Sequence, residues 1–162
     1  NAVLSRFPII EHQNHLLPNT DGGEQRGVLV AEIDVTDSKT GGIKSGLVFL
    51  ATHFDHRRAD QQRINSAKAI NAMLASETRA SILAGDLNAV PESEPLKLLG
   101  DQWIKTNSQP LPTIPVDEPT RQIDFILYRP ADRWRVIESR VLDEAVASDH
   151  RPILSVLEMT LQ

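Results

Sequence analysis

The run "SILAGDLNAV" (residues 81–90) constrains the fold of this chain more than any other stretch. Ser81, Ile82, Leu83 and Ala84 suit a strand covered on both faces, and Gly85 allows a turn or a close backbone approach. A doubly covered strand belongs to a layered sheet. Yet the run ends on Asp86 and Asn88, polar groups that a core rejects unless they are partnered.

At 162 residues the chain has the size of one domain, and 40% apolar content is enough for a core. Lys plus Arg total 17 against 22 Asp plus Glu, a net charge of −5 that provides no broad basic footprint for duplex nucleic acid. The absence of cysteine excludes disulfide scaffolds, thiolate zinc sites and cysteine nucleophiles. No stretch has the length of a membrane-spanning helix and no signal peptide is visible. The chain opens on Asn1 and runs straight into "AVLSRFPII", which reads as a strand, so upstream sequence is expected to precede it.

The loop signals of "EHQNHLLPNTDGGEQ" (11–25) precede a half-buried strand, "RGVLVAEIDV" (26–35). "DSKTGGIKSG" (37–46) then turns the chain into "LVFLATH" (47–53), and together these read as an antiparallel hairpin. Ile64, Ala67, Ile70 and Leu74 form one inward stripe of a helix over 58–76. A short helix is expected at 92–100, with Ser93 as N-cap, Pro95 in its first turn and Gly100 as terminator. Prolines at 110, 112, 115 and 119 mark a long loop, and strands follow at 122–129, 132–141 and 152–159. The sum is an α/β layered domain with substantial antiparallel pairing.

Four stretches place titratable side chains at or beside the end of an apolar strand: "THFDH" (52–56), "GDLNA" (85–89), "QIDFIL" (122–127) and "SDHRPI" (148–153). Strand ends fix such groups while loops expose them, so the four could share one cleft.

In this order the four stretches resemble the signature of the endonuclease/exonuclease/phosphatase superfamily, the deoxyribonuclease I-like phosphoesterases, with similarity running from "LSRFPI" to the last strand. The resemblance implies a four-layer α/β sandwich, two packed and mostly antiparallel sheets flanked by helices, cleaving phosphoester bonds with Mg²⁺ or Mn²⁺. By that likeness Asp86 orients or deprotonates the attacking water, and Asn88 donates to the developing phosphorane. His150 contacts phosphate or moves a proton, with Asp124 fixing its tautomer; Asp149 is a metal ligand and His53 a second donor to phosphate oxygens. On an extended strand end, Asp86 and Asn88 would share a face about 7 Å apart. The family's early strand-borne Asn and Glu, the latter its principal metal ligand, would lie before "LSRFPI". Residues 1–162 are therefore expected to be the C-terminal portion of one such domain, incomplete at its N-terminal side.

Each of these residues also has a plainer explanation. Asp86 and Asn88 could end a strand in an Asx turn. "SDHRP" could be a solvated loop, and His53 a hydrogen-bonded strand-end histidine. Asp124, inside "IDFIL", is costly to bury without a partner. Arg26 could reach a substrate phosphate or pair with an acidic neighbour. Asp55 and His56 are expected to cap the next helix or wall the pocket, and Arg57 and Arg58 to be solvated. His12 and His15 form a His-x-x-His pair with no carboxylate between them to serve as a base, which argues against metal. Trp103 and Trp134 read as packing anchors; with aromatics at 4%, no stacking ladder for single strands is evident.

The expected activity is metal-dependent hydrolysis of a phosphodiester or phosphomonoester by in-line attack of water, on a small substrate in preference to long duplex nucleic acid. A nuclease of the same superfamily and a non-catalytic phosphate-recognition or interaction module are the alternatives. Compartment and oligomeric state are not specified by these residues.

Overall fold

The computed structural model describes residues 1–36 and 46–160. Its strands are β1 (Ile9–Leu16), β2 (Gly27–Asp34), β3 (Gly46–His53), β4 (Ser81–Asp86), β5 (Ile104–Lys105), β6 (Asp124–Arg129), β7 (Trp134–Val141) and β8 (Ile153–Met159). The helices are α1 (Gln61–Met73) and α2 (Glu94–Gly100). Six strands form one sheet in the order β1-β2-β3-β4-β6-β5, and β7 pairs with β8 in a second. The β3–β4 pair, joined through α1, is parallel, and the other pairs are antiparallel. This is the mixed α/β, two-sheet architecture that the sequence resemblance implies.

Strand alternation sends Val28, Val48, Leu50, Leu83, Phe125 and Leu127 to one face of the large sheet. There they join Ala67, Ile70 and Leu74 around α1 and Leu96 and Leu99 of α2 in one core. Complete burial of a Leu or Phe contributes about 1.5–3 kcal/mol, so this face holds the helices to the sheet. Between the two sheets a ring of hydroxyls closes: Thr106, beyond β5, meets Ser139 of β7 at 3.1 Å and Ser155 of β8 at 2.9 Å.

Several local expectations are corrected. The first strand is Ile9–Leu16, sharing only Ile9 and Ile10 with the expected strand and otherwise lying in the segment expected to be a loop, while residues 2–8 form no strand. β1 is hydrogen-bonded along its length to β2, and this backbone pairing does not require apolar alternation in "EHQNH". The inward side of α1 carries Gln62, Arg63, Ser66 and Asn71 as well as its apolar stripe. Asn71 takes a hydrogen bond from the Trp103 indole and donates to Leu98 O. Ser93 occupies the N-cap, but its hydroxyl donates to Val90 O, and Gly100 is the last helical residue. The turn expected at 37–46 falls, apart from Gly46, outside the described residues.

Candidate active site

Three strand ends meet in one row. His53 is the last residue of β3, Asp86 the last of β4 and Asp124 the first of β6, and the register pairs His53 with Asp86 and Asp86 with Asp124. Side chains at paired positions share a face, so two carboxylates and an imidazole stand abreast. Gly85 makes the row possible: a Cβ there would lie 1.9 Å from Thr52 O, at φ +151°. Only a residue without a side chain brings β4 this close to β3.

Beyond Asp86 the chain turns instead of staying extended. Asp86 Oδ1 accepts the Asn88 N–H at 2.7 Å, and Asn88 has φ 47°. Asn tolerates this left-handed conformation better than most residues. The roughly extended spacing expected of the pair is thus replaced by an Asx turn, because the carboxylate gains more from the local N–H than from continuing the strand. The Asn88 amide donates to Phe54 O (3.1 Å) and the Phe54 N–H to Asp86 O (2.9 Å), tying the two loops together. An amide has two N–H groups, so this tie leaves one unused in a residue that lines the cavity.

His150 arrives from the loop before β8. Its Nδ1 lies 2.9 Å from Asp124 Oδ2, which also accepts the Thr113 hydroxyl at 2.5 Å. With Nδ1 used in this way, Nε2 is the ring nitrogen left to the cavity. Thr113 is wholly buried, and its carbonyl accepts the Arg151 N–H, so one residue orients Asp124 and anchors the loop that carries His150. Buried Gln122 gives its amide to Asp124 O and receives the Leu111 N–H, fixing the proline-rich loop against β6. Neither Thr113 nor Gln122 was singled out by the sequence; a lone Thr between prolines carries no periodic signal.

A cavity of about 450 Å³ opens over this row, lined by His53, Asp86, Asn88, Asp124, Asp149 and His150, with Arg26, His56 and Ser148 at its wall. All seven residues expected at the site therefore face one space. Arg26 also fulfils its plainer expectation: it binds Glu24 Oε2 at 2.9 Å and His56 Nδ1 at 3.1 Å. Arg57, expected to be solvated, instead bridges buried Asp55 and Asp21 at 2.8 Å each. His12 and His15, three apart on β1, project to opposite faces.

Burial, the largest influence, pushes the Asp86 carboxyl above its usual range; the Asn88 N–H opposes this and Asp124 adds to it. Burial likewise lowers His53, against the pull of Asp86. Both groups move toward their neutral forms, so their 3.4 Å approach is not a strong ion pair.

Among the described residues, the group whose ligand atoms converge for a cation is Asp86, Asp124 and His150, all within 4.8 Å of one another. Asp149 lines the cavity but is not one of the three. Two carboxylates with room for water and substrate oxygens suit Mg²⁺, and the added imidazole suits Mn²⁺. The donor set fits the ion that the sequence resemblance implies.

A two-sheet α/β domain with carboxylates, amide and imidazole converging at strand ends is an arrangement shared by proteins of the phosphoesterase or nuclease kind. Residues 1–150 match the model of the Endonuclease/Exonuclease/phosphatase family, and the chain belongs to that family. It is 29% identical over 164 residues to the uncharacterized protein YbhP of Escherichia coli K12, covering 98% of this chain and 62% of that protein. The chain thus spans about 62% of the length of the curated relatives it matches. Among solved structures it resembles a functionally unknown conserved protein from Enterococcus faecalis (TM-score 0.79, 18% identity, covering 94% of this chain and 67% of that one). It also resembles the Bacteroides thetaiotaomicron mannosyl-6-phosphatase Bt3783 (TM-score 0.73, 19% identity, covering 96% and 67%). No helix among the described residues is long and apolar enough to cross a membrane.

Proposed function

We propose that this protein hydrolyses a phosphoester, with water attacking phosphorus in line inside the cavity bounded by His53, Asp86, Asn88, Asp124, Asp149 and His150. The observation that carries this reading is the His53–Asp86–Asp124 row with His150 hydrogen-bonded at its end. Asp86, made more basic by burial, accepts the proton of the attacking water. The second N–H of Asn88 donates to a non-bridging oxygen of the bound ester, and Arg26 at the wall supplies positive charge for its phosphate; fixed donors of this kind supply most of phosphoryl-transfer catalysis. His150, its tautomer set by Asp124, handles a proton through Nε2 on the substrate side. His53 backs Asp86 as a neutral imidazole.

A Mg²⁺ or Mn²⁺, if bound, would be held by Asp86 and Asp124 with His150 or Asp149 beside them, and would supply charge neutralisation at the phosphate. The family membership and a phosphatase among the structural neighbours support hydrolysis of phosphoesters as a class. The net charge of −5 and the scarcity of aromatic residues favour a small substrate over long duplex nucleic acid. The test is hydrolysis by the intact protein of a phosphomonoester, a phosphodiester and single- and double-stranded DNA, each with Mg²⁺, Mn²⁺ or chelator. Cleavage of a small ester that chelator abolishes is expected. Metal-independent rates, or none on any substrate, would contradict the proposal.

A further inference from the structure

A second groove opens beside the reaction cavity and shares Arg26 and His53 with it. It holds about 310 Å³, at the lower end of the range of ligand sites. Asn1, Asn14 from β1, and Glu24 and Gln25 from the loop before β2 line it, and Leu16 is its aliphatic side chain among the described residues. No Phe, Tyr or Trp lines either space among the described residues. The Asn14 carboxamide makes no hydrogen bond to another described residue, so a donor and an acceptor stand available over the groove. Gly27 gives it room: a Cβ at that position would lie 2.9 Å from Asn14 Oδ1. Glu24 adds an acceptor that Arg26 holds in place at 2.9 Å.

We infer that this groove receives the alcohol portion of the substrate, and that this portion is polyhydroxylated, of the monosaccharide class. The inference rests on the phosphoesterase reading and adds the substrate class to it. Three groups could occupy such a groove, and its chemistry separates them. A nucleobase gains its binding from stacking on aromatic or guanidinium planes, and the guanidinium that lines the groove among the described residues, Arg26, is edge-bonded to Glu24 and His56. An acyl chain needs an apolar trough, and Leu16 alone does not form one. Vicinal hydroxyls, each both donor and acceptor, match a carboxamide beside a carboxylate. Because Arg26 and His53 line both spaces, an ester with its phosphorus over Asp86 would extend its alcohol toward Asn14.

The test measures kcat/KM of the intact protein on three alcohols, a hexose 6-phosphate, a nucleoside 5′-phosphate and p-nitrophenyl phosphate, each as monoester and methyl diester. The hexose ester is expected to exceed the nucleoside ester at least tenfold. In Asn14→Ala, a change at an exposed side chain without a described partner, the hexose to p-nitrophenyl ratio is expected to fall about tenfold, and in Glu24→Ala by a similar factor. Preference for the nucleoside ester, or ratios unchanged in both variants, overturns this inference and leaves the phosphoesterase reading standing. Failure to hydrolyse any of the six overturns both.

Discussion

Asp124 Oδ2 lies 2.9 Å from His150 Nδ1, and the same oxygen accepts the hydroxyl of Thr113. One carboxylate oxygen therefore fixes a ring that has come from a separate loop, and a buried hydroxyl fixes that oxygen. Thr113→Val keeps the shape and removes the donor. A drop in kcat of about tenfold with little change in KM is expected, typical of a lost supporting hydrogen bond, and Thr113→Ser should restore it. Stability should fall by about 1–2 kcal/mol. Equal kcat in the Val variant and the unsubstituted protein would remove Thr113 from the site's support.

Gly85 carries the most severe local constraint. An added Cβ meets backbone, Thr52 O at 1.9 Å, which cannot swing aside. Gly85→Ala must force β3 and β4 apart at the row that aligns His53 with Asp86. A loss of about 3 kcal/mol, or roughly 6–12 °C in melting temperature, is expected. A melting curve displaced by less than 2 °C would show that the strands part easily.

His53 provides a titration with a definite sign. Its pKa is lowered by burial and raised by Asp86, with burial prevailing. An NMR titration of the metal-free protein should place its midpoint below 6.5, and Asp86→Asn should move it lower still. Because the folded value is depressed, the unfolded chain takes up this proton first as pH falls. His53's contribution to stability is complete above pH 6.5 and declines below it. An upward movement in Asp86→Asn would mean that the two side chains do not sense each other as the geometry requires.

The Asp55–Arg57–Asp21 bridge makes a second acid-side prediction. Arg57 holds the buried Asp55 carboxyl below its usual range, so the bridge is intact above about pH 4 and is lost as pH falls through the folded-state value. Arg57→Ala should destabilise the fold near neutrality and do so noticeably less once Asp55 is protonated. Urea unfolding at both pH values measures the difference; an equal loss at each would mean the guanidinium stem, not its charge, supports the loop.

The elements legible in the sequence were those whose side chains are sorted by burial. "LVFLATH" and "SILAGD" are spelled by the core they enter, and β3 and β4 lie where those runs lie. β1 was not legible, since it is formed by backbone pairing with β2 that "EHQNH" does not advertise. At the site, Asp86, Asp124 and His150 were visible as polar groups interrupting or following apolar runs. The Asx turn at Asn88 was also foreseen, as the plainer alternative; the structure uses the same residues for turn and cavity, because a turn is what presents them. Thr113 and the Arg57 bridge escaped notice, because a side chain's partner dozens of residues away leaves no mark on local pattern.

The central claim is that loops distant in the chain gather their carboxylates, amide and imidazole around one phosphorus atom. Its most direct test is the turnover of His150→Ala in the intact protein under saturating Mg²⁺ or Mn²⁺, with circular dichroism and melting temperature recorded on the same samples. A fall in kcat of about 10²–10⁴-fold with an unchanged melt is the expected result. Undiminished turnover in a folded His150→Ala protein would contradict the account.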